Sequence, residues 1–201
     1  MKIGILNYKA GNLGSIMSAI RALNPDVKII DKSDEVANSD VLIIPGVGAF
    51  GYGMDHLEAS GIDHAIKEYF SSGKRLIGIC LGMHLLASWG TEGSLRKGLD
   101  IIPGTVKKLE RTASDKVPHL GWDSVRHKNS LAVNAQRDYY FAHSYYFDID
   151  PAYTEFVTGS FTWDTGSIPA IISYENCTAL QFHPEKSSEY GMLLLSGLLK
   201  T

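Results

Sequence analysis

The chain alternates between short unbroken apolar runs and longer stretches in which apolar residues return every third or fourth position. "KIGIL" (2–6), "VKII" (27–30), "VLIIPG" (41–46) and "RLIGI" (75–79) belong to the first kind. Runs of aliphatic and β-branched residues without strict alternation predict buried strands covered on both faces. "LGSIMSAIRAL" (13–23) and "IDHAIKEYFSSG" (62–73) belong to the second kind and predict amphipathic helices, the first with Asn12 as a candidate cap and the second closed by glycine. Strand, turn and helix in repetition predict an α/β fold: a mostly parallel central sheet with helices on both faces.

After about residue 104 the texture changes. "TVKKLE", "DSVRHKN", "RDYYFAHSYYFDI" and "TEFVTGSF" are short aromatic or β-branched stretches between polar turns, which predict additional antiparallel strands attached to the main sheet in the C-terminal half. A last strand, "CTALQFH" (177–183), precedes a helical tail, "SSEYGMLLLSGLLK" (187–200). With no internal repeat or linker, residues 1–201 are expected to form a single domain.

Charge narrows the partners. Nineteen Lys and Arg against 22 Asp and Glu give a net charge of −3, with no long basic run, so the electrostatic footprint of nucleic-acid binding is missing. The start "MKIGILNYKAGN" lacks the regions of a signal peptide, and no apolar run reaches membrane-spanning length, so a cytoplasmic protein is expected. In that compartment Cys80 and Cys177 are expected as free thiols, and their spacing suggests no metal site.

Cys80 stands between Gly78 and Gly82 where strand formers give way to helix formers. A nucleophile on a sharp strand-to-helix turn needs small neighbours, which gives the form G-x-nucleophile-x-G. The start of the following helix would favour a thiolate. The alternative is a small buried apolar residue. A thiol nucleophile needs a base, and the base an orienting group. "QFHPEKS" offers His183 and, two residues on, Glu185; in an extended segment the two would point the same way and Glu185 could reach one ring nitrogen. The alternative is a solvated strand end. "IIPGVGAFGYG" (43–53) reads as a strand running into a glycine-rich loop whose backbone N–H groups could face an oxyanion, or as a simple turn. It lacks the Gly-Lys-Ser/Thr of a phosphate loop and the glycine spacing of a dinucleotide fingerprint.

In this order "PGVGAFG", "GICLGMHLL" and "LQFHPEKS" resemble the class I, triad-type glutamine amidotransferases. With "NYKAGNLGSI", "VPHLGWD" (117–123) and "YYFAHSYYF" (139–147), the likeness covers essentially the whole chain and is greatest to the glutaminase subunits of imidazole glycerol phosphate synthases, which serve histidine biosynthesis. The resemblance implies the class I amidotransferase fold and a reaction in which Cys80 attacks the side-chain amide of glutamine, His183 moves the protons and Glu185 orients His183. It implies an oxyanion hole from Val47, Gly48 and Leu81, formed after the peptide around Val47 reorients. His84, His143, Ser144 and Tyr145 would line the substrate pocket. No cofactor and no metal are implied. The implied partner is a (βα)₈-barrel cyclase subunit in a heterodimer, which takes the ammonia.

Two positions depart from the family pattern. His84 stands where glutamine is usual and would titrate near neutral pH. Asp123 stands where Asn is usual, in a segment expected near the partner interface. These departures keep open an alternative, the glutaminase of a surface-sugar amidotransferase; a non-catalytic regulatory or binding subunit is a further alternative, opposed by the intact triad. His56, His64 and His127 are expected at the surface, Tyr139, Tyr140, Tyr146 and Phe147 in core or interface, Trp89, Trp122 and Trp163 as core anchors, with Trp122 a candidate for the interface, and Cys177 as a structural thiol.

Overall fold

The computed structural model describes residues 1–10, 13–113, 115–128 and 136–200. In chain order the elements are β1 (Ile3–Leu6), α1 (Leu13–Leu23), β2 (Val27–Ile30), α2 (Ser33–Val36), β3 (Val41–Ile44), α3 (Phe50–Ala59), α4 (Ile62–Ser71), β4 (Arg75–Ile79) and α5 (Leu81–Leu85). They continue with β5 (Ala87–Gly90), β6 (Arg96–Lys97), β7 (Ile102–Lys108), β8 (His119–His127), β9 (Gln136–His143), β10 (Tyr145–Ile149), β11 (Val157–Trp163), β12 (Gly166–Tyr174), β13 (Cys177–Leu180) and α6 (Ser188–Lys200). Asn12, the expected cap of α1, lies outside the described residues.

Among the described residues the main sheet has nine strands in the order β2-β1-β3-β4-β13-β12-β11-β8-β9. The first five pair in parallel and the rest antiparallel. The apolar runs at β1 and β3 are buried at every residue, as expected of strands covered on both faces. β2 departs from the expectation of a buried strand, because it is the sheet edge and leaves Ile29 43% exposed. α1 turns Ile16 and Ile20 inward, one helical turn apart, and α6 does the same with Gly191, Leu195 and Leu199.

Three sequence expectations are corrected. The glycine-rich stretch 43–53 is not all loop: α3 begins at Phe50, and a side chain at Gly53 would lie 3.0 Å from Leu85, so that glycine serves helix packing. The C-terminal strands do not all join the main sheet. β10, β7, β5 and β6 make a second, four-stranded sheet in that order, because "TVKKLE" and "YYFDI" pair with each other as β7 and β10. The last strand ends at Leu180 rather than His183, and residues Pro184–Lys186 form a 3₁₀ turn.

The register of three parallel neighbours decides where the chemistry goes. β4 lies between β3 and β13, with Gly78 opposite Ile44 and Ile79 opposite Leu180. The segments that follow, Pro45–Val47, Cys80–Leu81 and Gln181–His183, therefore leave the sheet at one edge, outside the carboxyl ends of the strands. The curled end of the sheet closes over them. His183 N–H donates to the Tyr140 carbonyl of β9 at 2.9 Å, and Phe182 stacks on Tyr139 with ring centres 4.0 Å apart.

Gly82 is where α5 touches the backbone of β3, since a Cβ there would sit 1.8 Å from the Ile44 carbonyl oxygen. Gly82→Ala should therefore cost about 3 kcal/mol of unfolding free energy through forced backbone displacement. Gly197→Ala, in α6 with nothing within 4 Å of the new methyl, should instead add about 0.5–1 kcal/mol by stiffening the unfolded chain. Urea midpoints of the two variants measure this, and equal shifts would remove the steric account.

Candidate active site

Cys80 caps α5 with φ +52° and ψ −109°, a conformation that side-chain-bearing residues seldom hold. Its neighbours permit it. A Cβ at Gly78 would lie 2.9 Å from the Gly82 carbonyl oxygen, and the Cys80 N–H is tied to the Leu180 carbonyl at 2.7 Å. The sulfur, almost fully buried, lies 3.9 Å from the Ala142 carbonyl. α5 is only five residues long, so its dipole offers less help to a thiolate than a long helix would.

The His183 ring is buried and donates its Nδ1–H to Glu185 Oε1 at 2.9 Å. The expected pair is present, by different geometry: Glu185 reaches back from the 3₁₀ turn that Pro184 starts, not from an extended strand. His183 Nε2 has no hydrogen-bond partner among the described residues and is the nitrogen left for chemistry. Burial works against the charged ring, but the Cys80 sulfur and the Glu185 carboxylate together outweigh it and push the pKa up to about 9. A nucleophile beside an imidazole oriented by a carboxylate is what covalent acyl chemistry requires.

The elbow opens on a cavity of about 220 Å³, smaller than the roughly 300–1,000 Å³ of a drug-sized site and suited to an amino acid. Val47 and Gly48 line one side, Cys80, Leu81 and His84 the floor, and Ala142, His143, Ser144 and Tyr145 the far wall. The residues expected to bind substrate or face the oxyanion line it together with Cys80, whereas His183 and Glu185 line a separate small recess that shares Val47 with it. The Leu81 N–H is engaged by the Gly46 carbonyl at 3.3 Å. His84 does not titrate near neutrality as its type suggests: burial outweighs its bond to Gln181 Oε1 at 2.8 Å and lowers its pKa to about 4, so the ring is neutral. His143 reaches the wall with both ring nitrogens spent, on Tyr145 O at 2.8 Å and on His119 at 3.0 Å, so its imidazole cannot bond a ligand without losing one of them.

Three contributors escaped sequence reasoning. Glu92 lines the cavity and accepts the Phe50 N–H at 2.7 Å at the start of α3, yet "TEGS" looks like any polar turn. Ser187 is fully buried; its hydroxyl donates to the His183 carbonyl at 2.6 Å and accepts the Tyr140 N–H at 3.0 Å, and its only signal was nearness to His183. Tyr8 donates its hydroxyl to the Pro45 carbonyl and anchors the segment that leads from β3 to Val47; burial drives its pKa far up, so it stays a donor. Of the other expectations, Trp163 is a core anchor, while Trp89 and Trp122 are exposed at the surface. His127 is half-buried against Tyr139 rather than a surface residue, because β8 turns it toward α6 and a groove there. Cys177 is a buried free thiol whose pKa burial raises.

An open α/β sheet with a cysteine elbow, an oriented histidine and a glycine-rich strand at one edge defines a triad amidotransferase, and the chain belongs to the class-I glutamine amidotransferase family, whose model matches residues 5–196. Among its relatives is the imidazole glycerol phosphate synthase subunit HisH of Chlorobaculum tepidum, 40% identical over 195 residues that cover 95% of this chain and 96% of that protein. The HisH subunit of Moorella thermoacetica is 42% identical over 198 residues, 96% of this chain and 91% of its own length. A crystal structure of a glutamine amidotransferase superposes with a TM-score of 0.73 at 18% identity, covering 98% of this chain and all of the other, and so supports the fold.

If Cys80 and Glu185 raise the His183 pKa, removing either must lower it. In NMR titrations the His183 ring should titrate at about 9 in the native chain and clearly lower in Cys80→Ala and in Glu185→Gln. An unchanged value in one variant would remove that partner from the account.

Proposed function

We propose that this chain is the glutaminase subunit of imidazole glycerol phosphate synthase, hydrolysing glutamine to glutamate and ammonia and passing the ammonia to a (βα)₈-barrel cyclase. The observation that carries the reading is the Cys80 elbow at a cavity of amino-acid size, together with the buried His183–Glu185 pair, which lines a small recess that shares Val47 with that cavity. The near full-length likeness to HisH subunits supplies the pathway.

Cys80 Sγ attacks the side-chain carbonyl of glutamine, and His183 Nε2 delivers a proton to the departing ammonia as the thioester forms. Acylation removes the interaction with the sulfur that raises the His183 pKa, so the ring can then act as base toward water. Attack of water breaks the C–S bond and releases glutamate. Glu185 keeps Nδ1 protonated and directs Nε2 to the sulfur. Among the described residues Glu92 is the one carboxylate that lines the cavity and suits the substrate's α-ammonium, and neutral His84 can exchange hydrogen bonds but adds no charge.

The oxyanion site is closed as it stands. The Gly46 carbonyl points at the Leu81 N–H, and the carbonyl and N–H of one trans peptide point in opposite directions, so the Val47 N–H points away from the elbow. Rotation of this one peptide would free the Leu81 N–H and aim the Val47 N–H at the oxyanion. Gly48, with φ +122° and open space around its α-carbon, allows it. Val47 is 40% exposed, and Lys186, Tyr140 and Trp122 continue from it as an accessible surface on which the cyclase would dock and drive the rotation.

Cys80→Ala and Cys80→Ser should fold yet lose glutamine hydrolysis, and substantial glutamate release by either in the presence of partner would defeat the mechanism. The isolated native chain should be a poor glutaminase, and the cyclase with its nucleotide ligand should accelerate it at least about a hundredfold, equivalent to about 2.7 kcal/mol between the two peptide orientations. Steady-state glutamate release measures this. Full activity in isolation would remove the gating, and stimulation only by a surface-sugar amidotransferase would remove the histidine assignment.

A further inference from the structure

The recess that shares Val47 with the substrate cavity has a volume of about 20 Å³, and roughly 10–15 Å³ is enough to hold one water molecule. Ile16 and Ile79 give it an apolar lining, and Gly46, Val47, His183 and Glu185 bring polar groups to it. Glu185 accepts the His183 Nδ1–H on Oε1, while its other oxygen, Oε2, is buried and has no hydrogen-bond partner among the described residues. A buried carboxyl oxygen left in that condition is costly, and folded proteins almost always satisfy it.

The Val47 N–H has no partner among the described residues either. Because the Gly46 carbonyl faces the Leu81 N–H, the Val47 N–H is turned from the elbow. Of the two cavities that Val47 lines, the one without Cys80 and Leu81 is the recess. Its occupant is defined by what these groups exchange. Oε2 takes a donor and the Val47 N–H takes an acceptor, so a molecule that joins them must do both within the space of one water. Ammonium only donates and a halide only accepts, which leaves water itself.

We propose that one water in this recess bridges Glu185 Oε2 and the Val47 N–H and is the pivot on which the oxyanion peptide turns. This rests on the glutaminase reading. In the closed orientation the water donates to Oε2 and accepts from Val47. When the Gly46–Val47 peptide rotates, the N–H leaves for the oxyanion and the Gly46 carbonyl takes its place, opposite a carboxyl oxygen of like polarity. The same water, having two O–H groups, then donates one to each oxygen. Two hydrogen bonds are made in either state, so the recess opposes neither and the peptide stays poised for a partner to move it. Glu185 thus has two duties on its two oxygens: Oε1 orients His183, and Oε2 holds the pivot.

Two measurements test this. A crystal structure of the isolated chain, at a resolution that orders single waters, should show a water within about 3 Å of both Glu185 Oε2 and the Val47 nitrogen. A recess without that water, or a Val47 nitrogen bonded straight to a protein oxygen, overturns the proposal. The second measurement fills the recess from Ile16, which is buried on α1 and outside the triad. Ile16→Met, a volume-conserving change with a longer unbranched side chain, should expel the water, and Ile16→Val should keep it. In the chain assembled with its cyclase and nucleotide ligand, Ile16→Met should lower kcat for glutamine at least about tenfold with KM within about threefold, because glutamine binds in the other cavity. Alkylation of Cys80 by iodoacetamide, which forms a C–S bond and expels iodide with no oxyanion to stabilise, should stay within about threefold of native. Ile16→Val should match native throughout. Native kcat in Ile16→Met, or alkylation falling in step with kcat, overturns the pivot. A native complex that hydrolyses no glutamine refutes the glutaminase reading instead, and the crystal structure still decides whether the water makes its bridge.

Discussion

The Cys80 N–H bonded to the Leu180 carbonyl at 2.7 Å is the last rung of the parallel pairing between β4 and β13, and the active site hangs from it. It fixes the elbow against the strand that delivers His183. Without it Cys80 would have no reason to hold φ +52°, and the sulfur and imidazole, 103 positions apart in the chain, would share no reference frame. The contact of Gly82 with the Ile44 carbonyl does the same on the other side, setting the elbow against the strand that leads to Val47. Three adjacent parallel strands thereby bring Cys80, His183 and the Pro45–Gly48 segment to one edge.

Around this rigid centre the structure keeps one soft element. The segment Pro45–Gly48 that follows β3 is anchored at its start, where Tyr8 holds the Pro45 carbonyl, and has open space at its end, around Gly48. Between them the Gly46–Val47 peptide satisfies the Leu81 N–H with its own carbonyl. In the proposed reading, rotation of this one peptide changes the N–H groups that face Cys80 without disturbing the His183–Glu185 pair. The turn between β9 and β10 is held differently, by the hydrogen bond between His119 and His143 and by the bond from His143 Nδ1 to the Tyr145 carbonyl.

The two departures from the family pattern acquire physical content in this setting. His84 is neutral and bound to Gln181, so it alters the hydrogen-bonding shape of the cavity floor and not its charge. Asp123 places a carboxyl group whose Oδ2 lies 3.2 Å from His119 Nε2. Neither bears on the His183–Glu185 pair.

The parallel half of the fold was legible in the sequence because strands buried on both faces must be apolar at every residue, and β1, β3 and β4 are nearly so. The elbow and the His-x-Glu pair were legible because their chemistry forces small or paired residues at fixed local spacing. The division of the later strands between two sheets was not, since alternating aromatic stretches pair equally well with either and only packing chooses. The start of α3 inside a glycine-rich stretch was hidden by low helix propensity, which the contact of Gly53 with Leu85 overrides. Glu92, Ser187 and the partnership of His119 with His143 were invisible for a common reason: each acts through a neighbour supplied by a different element, and no periodicity in the chain records which side chains the closed sheet brings within hydrogen-bonding distance.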